Sequence, residues 1–271
     1  MGSGSPDELA DWVEYCNYPG GSALADLRAL HGHPQPFKVR YWGIGNESWA
    51  CGGHLTPEEY CGLYARFATF VPTCGDVKPF LIAVGPNGND TAWTRRFFEA
   101  LRDGRQYLPP LHAFAMHFYS WGTRRATFYD APTARAQLAS FDAMERAIVE
   151  QRAFLDHYER LLGVDRIELI IDEWGTWDQS DLHEEEQRGR FWQQNTIKDG
   201  VAAALGLNVF HRNADKVALC NLAQMVNVLQ APLLTAGDLC CRTPTYHALQ
   251  MMKPHRAGRA VHISSPYVPA Q

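Results

Sequence analysis

The sequence predicts an α/β protein whose parallel strands belong to a (β/α)8 TIM barrel. Three observations carry that expectation. Apolar runs of strand length alternate with helix-period segments along most of the chain. The runs are continuous rather than alternating, as in parallel strands buried on both faces. Each run ends on polar or aromatic residues, as barrel strands do where their C-terminal ends line one face. An open doubly wound sheet would also gather its strand ends, but its nucleotide-binding versions need a glycine-rich phosphate loop. Neither G-x-G-x-x-G nor G-x-x-x-x-G-K-[ST] occurs.

The elements follow in order. A helix near 6–17 precedes a Gly/Pro/His-rich loop running to 36. "FKVRYWGIGN" (37–46) is the first strand, and a helix from 57 to about 74 follows it. Thr56 suits that helix's N-cap, Pro57 its first position, and Glu59 completes a capping box. "KPFLIAVGPN" (78–87) is the second strand, with a helix over 90–103; "HAFAMHFYS" (112–120) is the third, with a long helix over 132–162. "IELIIDEW" (167–174) is the fourth, with a helix over 184–211, in which "HEEE" places acidic residues at the helix start. "KVALCNLAQ" (216–224) is the fifth, "TPTYHALQMMKPH" (243–255) a last helix, and "RAVHISSPYV" (259–268) the start of something β-rich. Five strands do not close a barrel of eight, so the barrel is expected to be incomplete.

Composition narrows the function. A net charge of −5 offers no basic footprint for nucleic acid, and no Lys/Arg cluster marks a membrane surface. No apolar run approaches the roughly 18 residues of a membrane span. The N-terminus "MGSGSPDELADW" has neither the charged nor the apolar region of a secretory signal, so a cytoplasmic location is expected. Cysteines at 16, 51, 61, 74, 220, 240 and 241 lack the spacing of a disulfide framework or a zinc site, in keeping with a reducing compartment. His31 and His33 have no matching ligands nearby in the sequence, and neither a metal nor an organic cofactor is expected.

Two strand ends stand out. "VRYWGIGNESWACGG" breaks from apolar residues into Asn46 and Glu47, then Trp49 and two glycines; "IELIIDEWGTW" ends on Asp172 and Glu173. One strand-ending glutamate is commonly a solvated residue or a helix cap, but two such ends in one chain match the needs of glycosidic cleavage. That reaction takes two carboxyl groups flanking the anomeric carbon, one an acid and the other a base or nucleophile. The acid must stay protonated near neutral pH, so its surroundings should be apolar, and Trp42, Ile44 and Trp49 could supply that around Glu47. The nucleophile must stay ionised, and His117 and Tyr119 on the neighbouring strand are available as donors to Glu173. Asn46 can hold a sugar hydroxyl through its amide. Asp172 should alternate away from Glu173 into a structural role.

Taken together, "YWGIGNESWACGGHLTPEEY", "AMHFYS", "IIDEWGTW", "NLAQMVNVLQAPLLT" and "TPTYHALQMMKPH" resemble the α-L-arabinofuranosidases of glycoside hydrolase family 51. The resemblance implies a retaining hydrolase that releases terminal non-reducing α-L-arabinofuranosyl residues from arabinose-containing oligo- or polysaccharides. It implies Glu47 as general acid/base, Glu173 as nucleophile, and substrate contacts from Asn46, Tyr119 and Gln224. His117 and Trp49 complete the expected substrate-binding set. Glu47 then ends strand four and Glu173 strand seven, so strands four to eight are present. Residues 1–253 form the partial barrel, and 254–271 begin a C-terminal β-sandwich. The family pattern also implies sugar-binding residues on earlier strands, absent here, and assembly into a hexamer. Two alternatives stay open: another retaining glycosidase of the same clan, or an inactive remnant or half-barrel that needs a partner to complete it.

Overall fold

Helix starts are fixed by caps written into the sequence. In the computed structural model, which describes residues 3–103, 106–122, 124–179, 182–259 and 261, Ser5 and Glu8 form a reciprocal capping box that opens α1 (Pro6–Asn17). The helix α2 (Ala23–Leu30) lies in the expected Gly/Pro/His-rich loop. Its eight residues are too few to be stable by propensity alone. The anchor is Arg28, whose buried guanidinium donates to the carbonyls of Tyr15, His33 and Pro34. A charged residue is a poor sequence signal for burial, which is why the helix was not foreseen.

The first strand, β1 (Tyr41–Ile44), is shorter than expected. Val39 bonds through both its N–H and its C=O to the side chain of Asn17, so this part of the chain is held by α1 rather than by the sheet. Thr56 and Glu59 form the expected box at α3 (Pro57–Phe70). The chain continues through β2 (Phe80–Asn87), α4 (Thr91–Arg102) and β3 (Ala113–Trp121). The long helix expected over 132–162 is two, α5 (Ala131–Ala139) and α6 (Phe141–Leu162). Ser140 sits at the break, with its hydroxyl between the Gln137 carbonyl and Ser120 Oγ. After β4 (Glu168–Trp177), the helix expected over 184–211 is also two, α7 (Leu182–Arg188) and α8 (Ile197–Arg212). Gly189, at φ 106°, ends α7. Then come β5 (Val217–Leu222), an unforeseen antiparallel pair, β6 (Leu233–Ala236) and β7 (Leu239–Arg242), and α9 (Pro244–Met251).

The five strands β1 to β5 form one sheet in chain order, as consecutive βα units require. β1 pairs parallel to β2 from Tyr41↔Phe80 to Ile44↔Ala83, and β2 parallel to β3. β2 and β3 are buried on both faces. β1, the sheet edge, alternates between exposed and buried residues, so one of its two faces is uncovered. The chain divides into two compact units, Met1–His117 with Glu150–Ile170, and Phe118–Val149 with Ile171–Gln271. The first has an aromatic core of Tyr60, Tyr64, Phe97, Phe98 and Phe114. The second is built around Trp174, which packs edge-on against Phe141 and Phe210. Most of the segment expected to open a β-sandwich, 254–271, lies outside the described residues, and only a short 3-10 turn at Lys253–His255 is seen near it. Among the described residues no helix is long and apolar enough to cross a membrane.

Candidate active site

In the first unit the site is the loop that leaves β1. Glu47 has a left-handed backbone, φ 41°, which is uncommon outside glycine and is found where surrounding structure enforces it. Here the Glu47 carbonyl accepts from the N–H groups of both Ala50 and Gly52, at 2.7 and 3.0 Å. A Cβ at Gly52 would sit 1.8 Å from the Asn46 carbonyl oxygen, so the turn closes only over glycine. Trp49 Nε1 donates to the Gly85 carbonyl at 3.2 Å and ties the loop to β2. Asn46 is exposed on this loop.

The Glu47 carboxyl is enclosed, with its side chain 18% exposed. Each oxygen has its own donor: Nδ1 of the buried His117 lies 3.0 Å from Oε1, and Cys51 Sγ donates to Oε2 at 3.2 Å. With the Glu47 carboxyl ionised, the ring nitrogen that faces it carries the proton and His117 is the donor. The Trp49 ring stands edge-on to His117, with centroids 6.2 Å apart. Among the expected walls, Trp42 and Ile44 are buried, and Trp42 spends its indole N–H on Val39.

The expectation of a Glu47 carboxyl raised by apolar surroundings is not met. The hydrogen bond from His117 lowers its pKa; burial opposes that, and Cys51 adds to the lowering. The net direction is below the usual carboxylate value. A donor 70 residues away decides the matter, and no local pattern around Glu47 could announce it.

In the second unit Glu173 projects from β4, and its Oε2 accepts from Tyr119 Oη at 2.6 Å. Of the two donors expected for Glu173, Tyr119 takes that role, and His117 turns its Nδ1 to Glu47. Tyr119 is buried and packs edge-on against Trp177, centroids 5.0 Å apart. Trp177 is sandwiched further: Trp121, 59% exposed, stacks on it at 4.8 Å, and Phe191 meets its edge at 5.1 Å. The next residue, Trp174, packs against α8, where a Cβ at Gly206 would lie 2.3 Å from its ring. Gln224 is exposed just past β5, its N–H donating to the Val228 carbonyl.

The end of β4 is held by a buried polar network. Thr176 bonds to Gln230 through its N–H and to Asp199 through its hydroxyl. Asp178 takes the ammonium of Lys198 at 2.8 Å, with both side chains almost wholly buried. Burial pushes the Asp199 carboxyl up against the pull of Lys198. Sequence reading missed Cys51, Trp121 and Trp177 as parts of these two clusters. The signal for Trp121 and Trp177 was present, since each closes a strand whose polar end had already been singled out.

Comparison with known proteins agrees with these motifs. Residues 3–146 match the family model "Alpha-L-arabinofuranosidase 1 domain" and residues 172–269 match "Alpha-L-arabinofuranosidase C-terminal domain". The chain is 35% identical to an intracellular exo-alpha-L-arabinofuranosidase from Bacteroides ovatus, over 94% of this chain and 49% of the relative. Among solved structures, the GH51 arabinofuranosidase from Xanthomonas axonopodis pv. citri superposes with a TM-score of 0.82 at 34% identity, over 94% of this chain and 50% of that one. The α-L-arabinofuranosidase of Thermotoga maritima, solved as an arabinose complex, gives a TM-score of 0.74 at 28% identity, over 94% and 48%. The chain therefore spans about half the length of the relatives it matches.

Proposed function

The chain belongs to the family 51 α-L-arabinofuranosidases, and from that premise we propose that it carries the catalytic half of a retaining arabinofuranosidase, with Glu47 as acid/base and Glu173 as nucleophile. The observation that carries this reading is on β3. His117 and Tyr119 stand two residues apart on one strand, so alternation aims both at the same face. One is the hydrogen-bond partner of Glu47 and the other of Glu173. A retaining pair needs its carboxyl groups about 5–5.5 Å apart.

In the proposed reaction Glu173 attacks the anomeric carbon of a terminal arabinofuranosyl residue. The glycosidic C–O bond breaks, and Glu47 gives its proton to the leaving oxygen. Glu47 then takes a proton from water, which attacks the glycosyl ester and frees Glu173. Tyr119 orients the attacking oxygen. His117 and Cys51, by holding Glu47 below its usual carboxylate range, favour the ionised state it needs as base in the second step and restrict the protonated state it needs in the first to lower pH. Asn46, Trp49 and Gln224 contact substrate, with no metal or organic cofactor.

The wider protein is read as a (β/α)8 barrel of which residues 1–253 supply strands four to eight, with a C-terminal β-sandwich beginning within 254–271. The edge position of β1, with Tyr41 and Phe37 exposed beside it, favours completion of the sheet by further strands. Assembly into a hexamer is what the family resemblance implies, and a cytoplasmic location would match the intracellular relative from Bacteroides ovatus. Hydrolysis of nitrophenyl α-L-arabinofuranoside, beside a panel of nitrophenyl pyranosides, tests the reading on this chain and on a version extended upstream by three βα units. Arabinofuranoside turnover by either supports it. Turnover of a pyranoside alone favours another glycosidase of the clan, and none by either favours an inactive remnant.

A further inference from the structure

The ladder between β1 and β2 stops at Ile44↔Ala83, two residues before the catalytic loop turns. Side chains continue it. Tyr60 Oη, from α3, donates to the Ile44 carbonyl at 2.6 Å and accepts from the Val84 N–H at 2.7 Å. One residue further along β2, Trp49 Nε1 from the loop after β1 donates to the Gly85 carbonyl. A hydroxyl thus stands between the Ile44 carbonyl and the Val84 N–H, where the next backbone rung would be.

This bridge is rigid. Tyr60 is 3% exposed, and its ring lies against Trp93 and Phe97, both at an interplanar angle of 29°. The chain departs from the sheet beneath it at Gly45, φ 110°, where a Cβ would lie 3.1 Å from Val84 Cγ2 and 3.3 Å from the Tyr60 ring. Glu47 follows two residues later, and its donors His117 and Cys51 are placed to meet it only if that departure is fixed.

We propose that Tyr60 is a positioning residue for Glu47, its hydroxyl setting the gap between β1 and β2 from which the acid/base loop leaves the sheet. The role rests on the assignment of Glu47 above, and it concerns proton delivery rather than nucleophilic attack. Tyr60→Phe removes one oxygen and leaves the Ile44 carbonyl and Val84 N–H without their bridge.

The test compares Tyr60→Phe with Tyr64→Phe, a matched loss on the same helix, where the hydroxyl donates to the Pro110 carbonyl instead. For Tyr60→Phe, kcat/KM on an alkyl arabinofuranoside, whose leaving group needs protonation, should fall about tenfold or more. On a dinitrophenyl arabinofuranoside it should fall less than about threefold, and Tyr64→Phe should show no such split. Equal losses on both substrates, or a split in Tyr64→Phe as well, overturn the proposal. If neither the chain nor its extended version turns over either substrate, the proposed function fails on its own, and carboxyl NMR titration still decides the geometric claim. Tyr60→Phe should move Glu47 back toward the ordinary carboxylate range as His117 and Cys51 lose their hold, and an unchanged titration overturns it. Should Tyr60→Phe not fold, 3-fluorotyrosine at position 60, which keeps the ring and weakens the hydroxyl as an acceptor from the Val84 N–H, is read the same way.

Discussion

Tyr119→Phe deletes one atom and keeps the ring that packs on Trp177. The atom lost donates to Glu173 Oε2 at 2.6 Å, within the range of charge-assisted O–H···O⁻ bonds. A hydrogen bond to a charged group contributes about 1.5–3 kcal/mol. At about 1.36 kcal/mol per decade, that corresponds to a loss of about 10- to 150-fold in kcat/KM if the bond holds Glu173 in its attacking orientation throughout the first step. Stopped assays with nitrophenyl α-L-arabinofuranoside measure it directly. Because the formation of the glycosyl ester is the step affected, the loss should persist with the best leaving groups, where protonation by Glu47 matters least. A change of less than about twofold, with the variant folded by circular dichroism, refutes the assigned role of Tyr119.

Cys51→Ala removes one of the influences that hold the Glu47 carboxyl low. Its pKa rises, the protonated acid persists to higher pH, and the alkaline limb of kcat/KM against pH should move upward; His117→Ala should move it in the same direction and further, since that hydrogen bond is the largest influence. Lys198→Met leaves Asp178 buried beside Gln137 with its ammonium partner gone. Breaking one side of a buried pair costs about 3–5 kcal/mol, so the urea midpoint should fall sharply, and an unchanged midpoint would mean that water reaches Asp178.

Strand ends were legible because two physical signals coincide there. The break from an apolar run into Asn46-Glu47 just past β1 is abrupt, and so is the break into Asp172-Glu173, although β4 continues beyond it to Trp177. Caps were legible for the same local reason, as at Thr56 and Glu59. What escaped depends on partners distant in sequence or on side chains used against type. The helix α2 forms around a buried arginine that binds only carbonyls. The start of the expected strand is captured by α1, Phe37 by the Cys16 carbonyl and Val39 by the Asn17 side chain. The break between α5 and α6 turns on Ser140 finding Ser120. The Glu47 carboxyl is held below its usual range, against the local expectation, because His117 arrives from β3, although His117 and Glu47 were each singled out from sequence. The stack of Trp121 on Trp177 joins two strand ends that no periodicity relates.

The most direct test of the proposed pair is to trap its intermediate. A Glu47→Ala variant given dinitrophenyl α-L-arabinofuranoside still has its nucleophile and a leaving group that departs unaided, but no base to activate water. Rapid quench and peptide mass spectrometry should find one anhydropentose unit esterified to the peptide carrying Glu173, discharged when azide is added. No adduct, an adduct on any other residue, or a Glu173→Ala protein that forms it equally well would contradict the account.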